Sequence, residues 1–344
     1  MNASLSPAIE AFLSATGYAG AGRASLPQDA GHRRYTRLSG AVPRPALLMD
    51  CTDAPRVGLT PEEDLLPFLR IGAHIRGLGL SAPEVLAEDR AHGLLLVEDL
   101  GRETHAGLLD AGADPVPLYV AAAEALAALH AAPPPPGLPD YEAPTMARMA
   151  ALTFLDWWWP TTFGEAASDA IRAEFAEALR AMLEPFAGAN GFVHRDYFPA
   201  NLMHLPERPG ARRVGIIDFQ DAARGHPAYD LVSLLQDARR DVAPTVRHTA
   251  MEAYLAARPD LDAGDFAAAM AAMAAQRHLR VAALWVRLAR RDSKPGYLRH
   301  GPRCWALLAE ALEHPATLPL RRFLDRHVPP ELRQNPAALK ELTA

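Results

Sequence analysis

Two short apolar runs in the second half of the chain are each followed by polar side chains at fixed intervals, and this arrangement constrains the fold more than any other feature. Residues 192–193 predict a short strand that leads into His-Arg-Asp, ending at Asp196, and Asn201 follows five residues later. Residues 214–217 predict a buried strand that ends at Asp218. A polar segment with proline and glycine precedes the second strand. We therefore expect the two strands to form a hairpin-like unit, with the three polar residues around one rim.

A carboxylate and two oxygen ligands at this spacing suit phosphoryl transfer from a nucleotide. That reaction needs a carboxylate to orient the attacking hydroxyl and accept its proton, and two side-chain oxygens to hold Mg²⁺ on the phosphates. Kinases use H-R-D-x-x-x-x-N followed by D-F-x, which makes Asp196 the base and Asn201 and Asp218 the metal ligands. Gln220 stands where protein kinases carry glycine. The alternative, a surface loop with a capping aspartate, does not account for all three parts of the match.

The segments HRDYFPANLM and GIIDFQDAARGHPAYDLVSLL resemble the aminoglycoside phosphotransferase family, the small-molecule branch of the kinase fold that includes choline and homoserine kinases. Within it, the chain is most similar to bacterial amino-sugar kinases that phosphorylate the anomeric hydroxyl of N-acetylmuramate and N-acetylglucosamine in peptidoglycan recycling. The segments QDAGHRRYTR, LLLVEDLG and FLDWWWP share the resemblance. It implies an α+β fold of two kinase-like lobes. Residues 1–98 would form an antiparallel sheet with one helix, and residues 99–344 a mainly helical lobe.

The resemblance also implies where ATP, Mg²⁺ and a small amino-sugar substrate bind. Nucleotide contacts are expected from the phosphate loop, the following strand and the hinge, at Gly31, His32, Arg33, Arg34, Met49, Glu98 and Leu100. Substrate contacts are expected from Asp156, Trp157, Trp158, Arg195 and Asp221. Whether the tryptophans contact sugar or pack between helices stays open, because an aromatic face suits both.

The scarcity of lysine bears on how the chain would hold a phosphate. Its only lysines are Lys294 and Lys340, and Met49 aligns with the lysine that kinases place on this strand. Arg33 or Arg34 is the expected substitute, since a guanidinium group holds phosphate in a bidentate fork. The missing lysine also motivates an alternative function, a catalytically inactive kinase fold that acts as a binding protein. The intact acidic set argues against it.

Local patterns predict several elements around this core. Thr60-Pro61-Glu62-Glu63 predicts a helix start, in which a glutamate either caps its own helix or pairs with the phosphate-binding arginine. Asp230 is expected to be a buried structural acid that caps a helix or accepts hydrogen bonds from His194 or Arg195. Further helices are predicted at 6–16 and 119–130, a long helix together with its exit at 276–303, and strands at 45–51, 84–88 and 94–97.

The predicted helix at 276–303 is strongly basic, with Asp292 as its one acid. Aminoglycosides are polycations that need an acidic groove, so this helix argues against them and is compatible with an acidic sugar such as N-acetylmuramate. Another alcohol, such as choline or a different sugar, stays open as the acceptor.

Bulk composition excludes several other classes of protein. A formal charge of −6 gives no reason to expect a nucleic-acid partner. Two distant cysteines suggest neither a disulfide framework nor a zinc site. The first residues lack the basic and apolar regions of a signal peptide, and no apolar run is long enough to span a membrane. We expect a cytoplasmic protein, and a monomer.

Overall fold

The computed structural model describes residues 6–27, 33–51 and 59–342, which fall into two compact units. Unit 1 comprises Met1–Gly112 and Ala200–Asp221, and unit 2 comprises Ala113–Pro199 and Ala222–Ala344. Unit 1 contains an antiparallel sheet and unit 2 is mainly helical, so the predicted α+β class is confirmed. The predicted lobe boundary between residues 98 and 99 stays a prediction.

The sheet of unit 1 has five antiparallel strands in the order β1-β2-β3-β5-β4. Helix α1, capped by Ser6, buries Ile9, Phe12 and Leu13 against sheet residues that include Leu38 and Leu48. The apolar spacing of this helix therefore predicted its buried face. The elements, numbered along the chain, are α1 (Pro7–Ala15), β1 (Gly22–Ser25), β2 (Arg34–Ser39), β3 (Ala46–Asp50), α2 (Pro61–Gly77), β4 (Val85–Asp89), β5 (Leu94–Glu98) and α3 (His105–Asp110).

A hairpin from later in the chain also belongs to unit 1. It consists of β8 (Leu202–His204) and β9 (Val214–Ile216), paired with Leu202 opposite Ile216. The predicted hairpin between residues 192–193 and 214–217 is wrong, because β7 (Gly191–Val193) pairs with β10 (Ala223–Gly225) in unit 2. The partner strand β8 is too short to give a strand pattern in the sequence.

Unit 2 is built around a long helix, α10 (Ala263–Arg291), which packs against α5, α8 and α11. Its other elements are α4 (Pro115–His130), β6 (Asp140–Tyr141), α5 (Ala143–Thr153), α6 (Trp159–Phe163), α7 (Asp169–Leu183), α8 (Ala228–Leu235), α9 (Pro244–Ala256), α11 (Gly301–Ala311) and α12 (Leu318–His327). A π-helical turn at Phe154–Trp158 joins α5 to α6. Strands β6, β10 and β7 form a small sheet in that order.

The segment predicted as a long helix and its exit, residues 276–303, contains both, but the helix starts earlier than predicted. Helix α10 begins 13 residues earlier, at Ala263, and ends at Arg291. Ser293 adopts a left-handed φ of 53°, and Pro295 opens a short 3₁₀ segment before α11. A left-handed residue followed by proline ends a helix, which places the exit inside the predicted segment. Among the helices that the structure describes, none is both long and apolar enough to cross a membrane.

Candidate active site

The hairpin of β8 and β9 brings the two predicted metal ligands together. Asn201 directly precedes β8, and Asp218 lies two residues beyond β9. The Ile217 amide donates to the carbonyl oxygen of Asn201 at 3.2 Å. The side-chain amide of Asn201 donates to Asp218 Oδ2 at 3.3 Å. Strand pairing therefore sets the separation of these two side chains.

Asp218 is held in an unusual backbone conformation by its neighbours. Its φ of 61° lies in the left-handed region, which costs about 1 kcal/mol or more for a residue other than glycine. Phe219 is completely buried and stacks on Phe68 of α2 with ring centroids 5.0 Å apart. Gln220, the residue in place of the kinase glycine, donates to Asp218 Oδ1 at 2.7 Å. The buried ring thus anchors the turn while the carboxylate stays exposed.

The donor set at this turn fits Mg²⁺. A carboxylate and a carboxamide oxygen are hard ligands, and magnesium takes one or two such protein groups together with phosphate oxygens and water. Within the described residues, no group of three or more histidine, cysteine, aspartate or glutamate side chains could hold a metal ion. Asn201 and Asp218 are therefore suited to an ion that is shared with a bound phosphate.

The cation expected to replace the kinase lysine forms a buried ion pair. Arg33 is 8% exposed, and its Nη2 donates to Asp64 Oδ1 at 3.1 Å and to the Asp64 carbonyl oxygen at 3.0 Å. Of the two roles left open for the glutamate, the structure shows helix capping: Glu63 accepts from the Thr60 amide at 2.8 Å in a capping box. Asp64 is buried in α2, where it can hold a cation on the inner face of the helix.

Met49, predicted as a nucleotide contact, has a side chain that is not accessible to a ligand. The side chain is completely buried in β3, and its sulfur accepts a hydrogen bond from the Tyr35 hydroxyl at 3.2 Å. Burial raises the pKa of Tyr35, and Arg33 and Asp218 are among the charges that act on the phenol. Both groups therefore lie near Tyr35, so unit 1 gathers a guanidinium and the Asp218 carboxylate around one side chain.

The other predicted nucleotide contacts have different surroundings. Arg34 forms an ion pair with Asp50 at 2.7 Å, and its side chain is 47% exposed. The Glu98 amide donates to the Glu84 carbonyl oxygen at 2.8 Å. The amide and carbonyl of Leu100 have no hydrogen-bond partner among the residues that the structure describes. Gly31 and His32 lie outside the described residues.

The loop that carries Asp196 is anchored by Asp230 of α8. Asp230 is completely buried, and its carboxylate accepts from the His194 amide at 2.5 Å and from the Arg195 amide at 2.8 Å. Arg195 has a left-handed φ of 75°. The Tyr197 hydroxyl donates to the Ala122 carbonyl oxygen at 2.8 Å. Asp230 thus has the structural role expected for it, and the loop is fixed on both sides of Asp196.

A cluster of arginine and tyrosine side chains lies beside this loop. Arg277 and Arg280 of α10 each donate to the Tyr229 hydroxyl at 3.0 Å, and the Tyr141 hydroxyl donates to the same oxygen at 3.2 Å. Arg277 also donates to the carbonyl oxygen of Arg195 at 3.2 Å. The Arg195 guanidinium lies 5.1 Å from the centroid of the Tyr141 ring. This cluster therefore connects α10 to the residue before Asp196.

The sequence analysis missed most of this cluster. Tyr141 and Tyr229 lie 88 residues apart and meet only in the folded chain. The spacing of Arg277 and Arg280, three residues apart on one helix, was the available signal, because such residues share a face.

Of the predicted substrate contacts in the tryptophan tract, Trp158 is corrected. It is completely buried, stacks on Phe154 at 4.8 Å and donates from its indole to the Gln334 carbonyl oxygen at 2.9 Å. Trp157 is half-buried, and Asp156 forms an ion pair with Arg172 at 2.7 Å. Their π-helical turn packs against α10. Such turns are frequent at functional sites, so Asp156 and Trp157 stay candidates.

Asp221, the last predicted substrate contact, lies half-buried in the turn between β9 and β10. Its three-residue separation from Asp218 keeps it close to the metal-ligand turn along the chain.

Comparison with known proteins identifies related enzymes. A model of the phosphotransferase enzyme family matches residues 24–267. An N-acetylmuramate/N-acetylglucosamine kinase of Caulobacter vibrioides is 38% identical to this chain, and the match covers 94% of this chain and 97% of that protein. A kinase of the same name from Pseudomonas aeruginosa is 33% identical, over 83% of this chain and 82% of that protein.

The fold is shared with a solved aminoglycoside 2'-phosphotransferase-IIIa in complex with GDP. That structure matches with a TM-score of 0.55 and 15% sequence identity, over 84% of this chain and 92% of that chain. The similarity confirms the predicted kinase-like fold.

Proposed function

We propose that this chain, which belongs to the phosphotransferase enzyme family, transfers the γ-phosphoryl group of ATP to the anomeric hydroxyl of N-acetylmuramate, N-acetylglucosamine or both. The observation that carries the proposal is the 38% identity to an N-acetylmuramate/N-acetylglucosamine kinase over nearly the full length of both chains. The turn that holds Asn201 and Asp218 supports it, since it offers the two oxygen ligands that the chemistry needs.

Asp196 is proposed as the base. The sugar oxygen attacks the γ-phosphorus, the bond from that phosphorus to the β-bridging oxygen breaks, and ADP leaves while the hydroxyl proton passes to Asp196. An anomeric hydroxyl is more acidic than an ordinary alcohol, so orientation matters more here than basicity. The anchoring of the preceding amides by Asp230 serves that orientation.

Asn201 and Asp218 are proposed to hold Mg²⁺ against the phosphates of ATP. The bound ion would neutralise charge on the phosphates as the transfer proceeds. The 3.3 Å contact between the two side chains sets them close enough to act on one ion. Gln220 orients the Asp218 carboxylate through its 2.7 Å hydrogen bond.

Arg33 is proposed to bind the phosphates in place of the missing lysine. Its ion pair with Asp64 leaves other guanidinium N–H groups for phosphate oxygens, and the buried carboxylate fixes the direction of the fork. Arg34, Gly31 and His32 are proposed as further phosphate contacts. The Leu100 amide and carbonyl are proposed to pair with the adenine edge, which suits their lack of partners in the described part of the chain.

The proposal has consequences for location and assembly. The reaction uses ATP, so we propose that the chain acts in the cytoplasm. All the residues invoked belong to one chain, and we propose that a monomer is active. Light scattering during gel filtration, with activity measured across the peak, tests the second point.

The deciding experiment is phosphoryl transfer from Mg-ATP to each amino sugar, with the product position read by phosphorus NMR. We expect a sugar 1-phosphate. Asp196→Asn should lower kcat by about 100-fold or more while ATP binding, measured by calorimetry, persists. Choline and an aminoglycoside serve as competing acceptors. Turnover of either, with none of the amino sugars, would refute the proposed substrate, and equal turnover by Asp196→Asn would refute the proposed base. ATP binding without transfer to any acceptor would favour the binding-protein alternative.

A further inference from the structure

Two arginines of α10, Arg277 and Arg280, bring positive charge to the Asp196 loop. Arg277 is 3% exposed, and Arg280 is half-buried. In the described part of the chain, neither guanidinium group forms a salt bridge with a carboxylate. The Nε atoms of both arginines are buried and have no hydrogen-bond partner in the described part of the chain. Their hydrogen bonds go to the Tyr229 phenol and to the Arg195 carbonyl oxygen, and the Asp196 carboxylate acts on them from beyond salt-bridge distance, so the cluster has capacity for a bound anion.

Tyr229 shows how strongly the cluster favours negative charge. Burial alone would raise the pKa of this phenol, yet Arg280 and Arg277 lower it to about 8. Tyr141 adds to the effect by donating to the Tyr229 oxygen. A site that lowers the pKa of a tyrosine also stabilises other anions bound there.

The cluster adjoins the proposed base. Arg277 donates to the carbonyl oxygen of Arg195, the residue before Asp196. The Asp196 carboxylate interacts electrostatically with both Arg277 and Arg280. An acceptor whose hydroxyl meets Asp196 would therefore have another of its groups within reach of these arginines.

We propose that Arg280, supported by Arg277 and Tyr229, binds the carboxylate of an acidic acceptor sugar and so selects N-acetylmuramate over N-acetylglucosamine. The inference rests on the proposed function and adds its specificity. N-acetylmuramate carries a lactyl carboxylate, and N-acetylglucosamine carries no charged group. Arg280 is the contact residue, because it is the more accessible of the two and retains a planar fork for a carboxylate. Arg277 is a positioning residue, since it is buried and binds the loop.

The test compares kcat/KM for the two sugars in four proteins: the wild type, Arg280→Gln, Arg280→Lys and Arg290→Gln. Arg290 is the matched control, because it is an exposed arginine of the same helix. We expect Arg280→Gln to lower kcat/KM for N-acetylmuramate by about 10- to 100-fold, and for N-acetylglucosamine by less than about threefold. Arg280→Lys should fall between wild type and Arg280→Gln for N-acetylmuramate. Arg290→Gln should keep the wild-type ratio, which separates a specific contact from general loss of charge.

Several results would overturn the inference. An equal fall for both sugars would assign the cluster to the phosphoryl group, which both reactions share. No change in the ratio would exclude a contact with the carboxylate. Circular dichroism of each variant checks that it folds.

Activity of the wild type tests the proposed function separately from the inference about Arg280. If the wild type phosphorylates neither sugar, the proposed function is wrong, and calorimetry then decides the inference. In that case tighter binding of N-acetylmuramate than of N-acetylglucosamine, lost in Arg280→Gln, would support the subsite, and equal binding would overturn it.

Discussion

Replacing Asp230 with asparagine removes the charge that anchors the loop carrying Asp196. The carboxylate accepts two backbone hydrogen bonds, from the His194 amide at 2.5 Å and the Arg195 amide at 2.8 Å. Each hydrogen bond to a buried charge contributes about 1.5–3 kcal/mol. An asparagine presents one oxygen, which retains one neutral bond, and an NH₂ group that faces the second amide. We therefore expect Asp230→Asn to lower the free energy of unfolding by about 2–5 kcal/mol.

The same change should also reduce catalysis. Arg195 has a left-handed φ of 75°, a conformation that costs about 1–3 kcal/mol and persists only while its surroundings hold it. Once released, the loop would misplace Asp196, and we expect kcat for N-acetylmuramate to fall by about 10- to 100-fold. KM should change less, because Asp230 is completely buried and cannot contact a substrate.

Asp237→Asn provides the matched control for this prediction. Asp237 is also buried, at 5% exposure, and accepts a backbone hydrogen bond from the Arg239 amide at 2.9 Å, but that amide lies outside the Asp196 loop. Urea unfolding and steady-state kinetics are measured on both variants. Asp237→Asn should lose stability while kcat stays within about threefold of wild type. If Asp230→Asn retains full kcat, or if both variants lose kcat equally, the positioning role of Asp230 is refuted.

Three further predictions concern metal binding and pH. Asp218→Asn should lower kcat by about 100-fold or more, and EDTA should abolish transfer by the wild type until Mg²⁺ is restored. The Tyr229 phenolate should appear in an ultraviolet titration with a midpoint near pH 8, and this titration should be absent in Tyr229→Phe. Because the folded pKa lies below the unfolded value of about 10, ionisation of Tyr229 increases the free energy of unfolding as pH rises from 8 to 10. The preference for the acidic sugar should decline over the same pH range, because the phenolate then occupies the positive charge of the arginines. Burial lowers the pKa of His278 to about 3 and of His105 to about 4, below the ordinary histidine value of about 6.5. Their contribution to stability is therefore complete above pH 6.5 and falls by about 1.4 kcal/mol per histidine for each pH unit below it. Urea unfolding at pH 7 and pH 5 would detect this loss of stability, and His278→Gln should make the difference between the two pH values smaller.

The parts of the site that depend on local spacing could be predicted from the sequence. The caps of α1 and α2 are at Ser6 and Thr60, where short-range patterns indicated helix starts. Asn201 and Asp218 meet because they flank a hairpin, and the sequence predicted their proximity while assigning the wrong partner strand. A three-residue strand such as β8 has too few side chains to establish a period of two, so it became evident only through its pairing.

The sequence also carries a signal for the partner of Arg33. Asp64 shares a helical face with Phe68, Ile71 and Ile75, all of which are buried in α2. An acidic residue at an apolar position of such a stripe indicates a buried partner. The capping pattern at Thr60 correctly predicted a role for Glu63, which binds its own helix terminus, but it gives no information about Asp64.

Contacts between segments that are distant in sequence could not be predicted from local patterns, because they depend on how helices and loops pack. Asp230 reaches the His194 amide across 36 residues, and Arg277 reaches the Arg195 carbonyl across 82. The sequence predicts their chemistry, because it indicates a buried acid at Asp230 and a basic helix around Arg277. It does not predict their geometry, since no local period relates positions so far apart.

The chain uses arginine for both of its proposed anion-binding sites, the phosphate site of unit 1 and the carboxylate site of unit 2. In unit 1, the carboxylate of Asp64 forms an ion pair with Arg33, which neutralises the charge of the pair and fixes the orientation of the guanidinium group. In unit 2, Arg277 and Arg280 share a neutral phenol and retain their charge for a ligand. Guanidinium groups stay protonated when buried, whereas a buried lysine readily loses its proton. A chain with only two lysines can therefore keep permanent positive charge in buried places, and we propose that the partner of each arginine decides whether that charge orients a phosphate or binds a carboxylate.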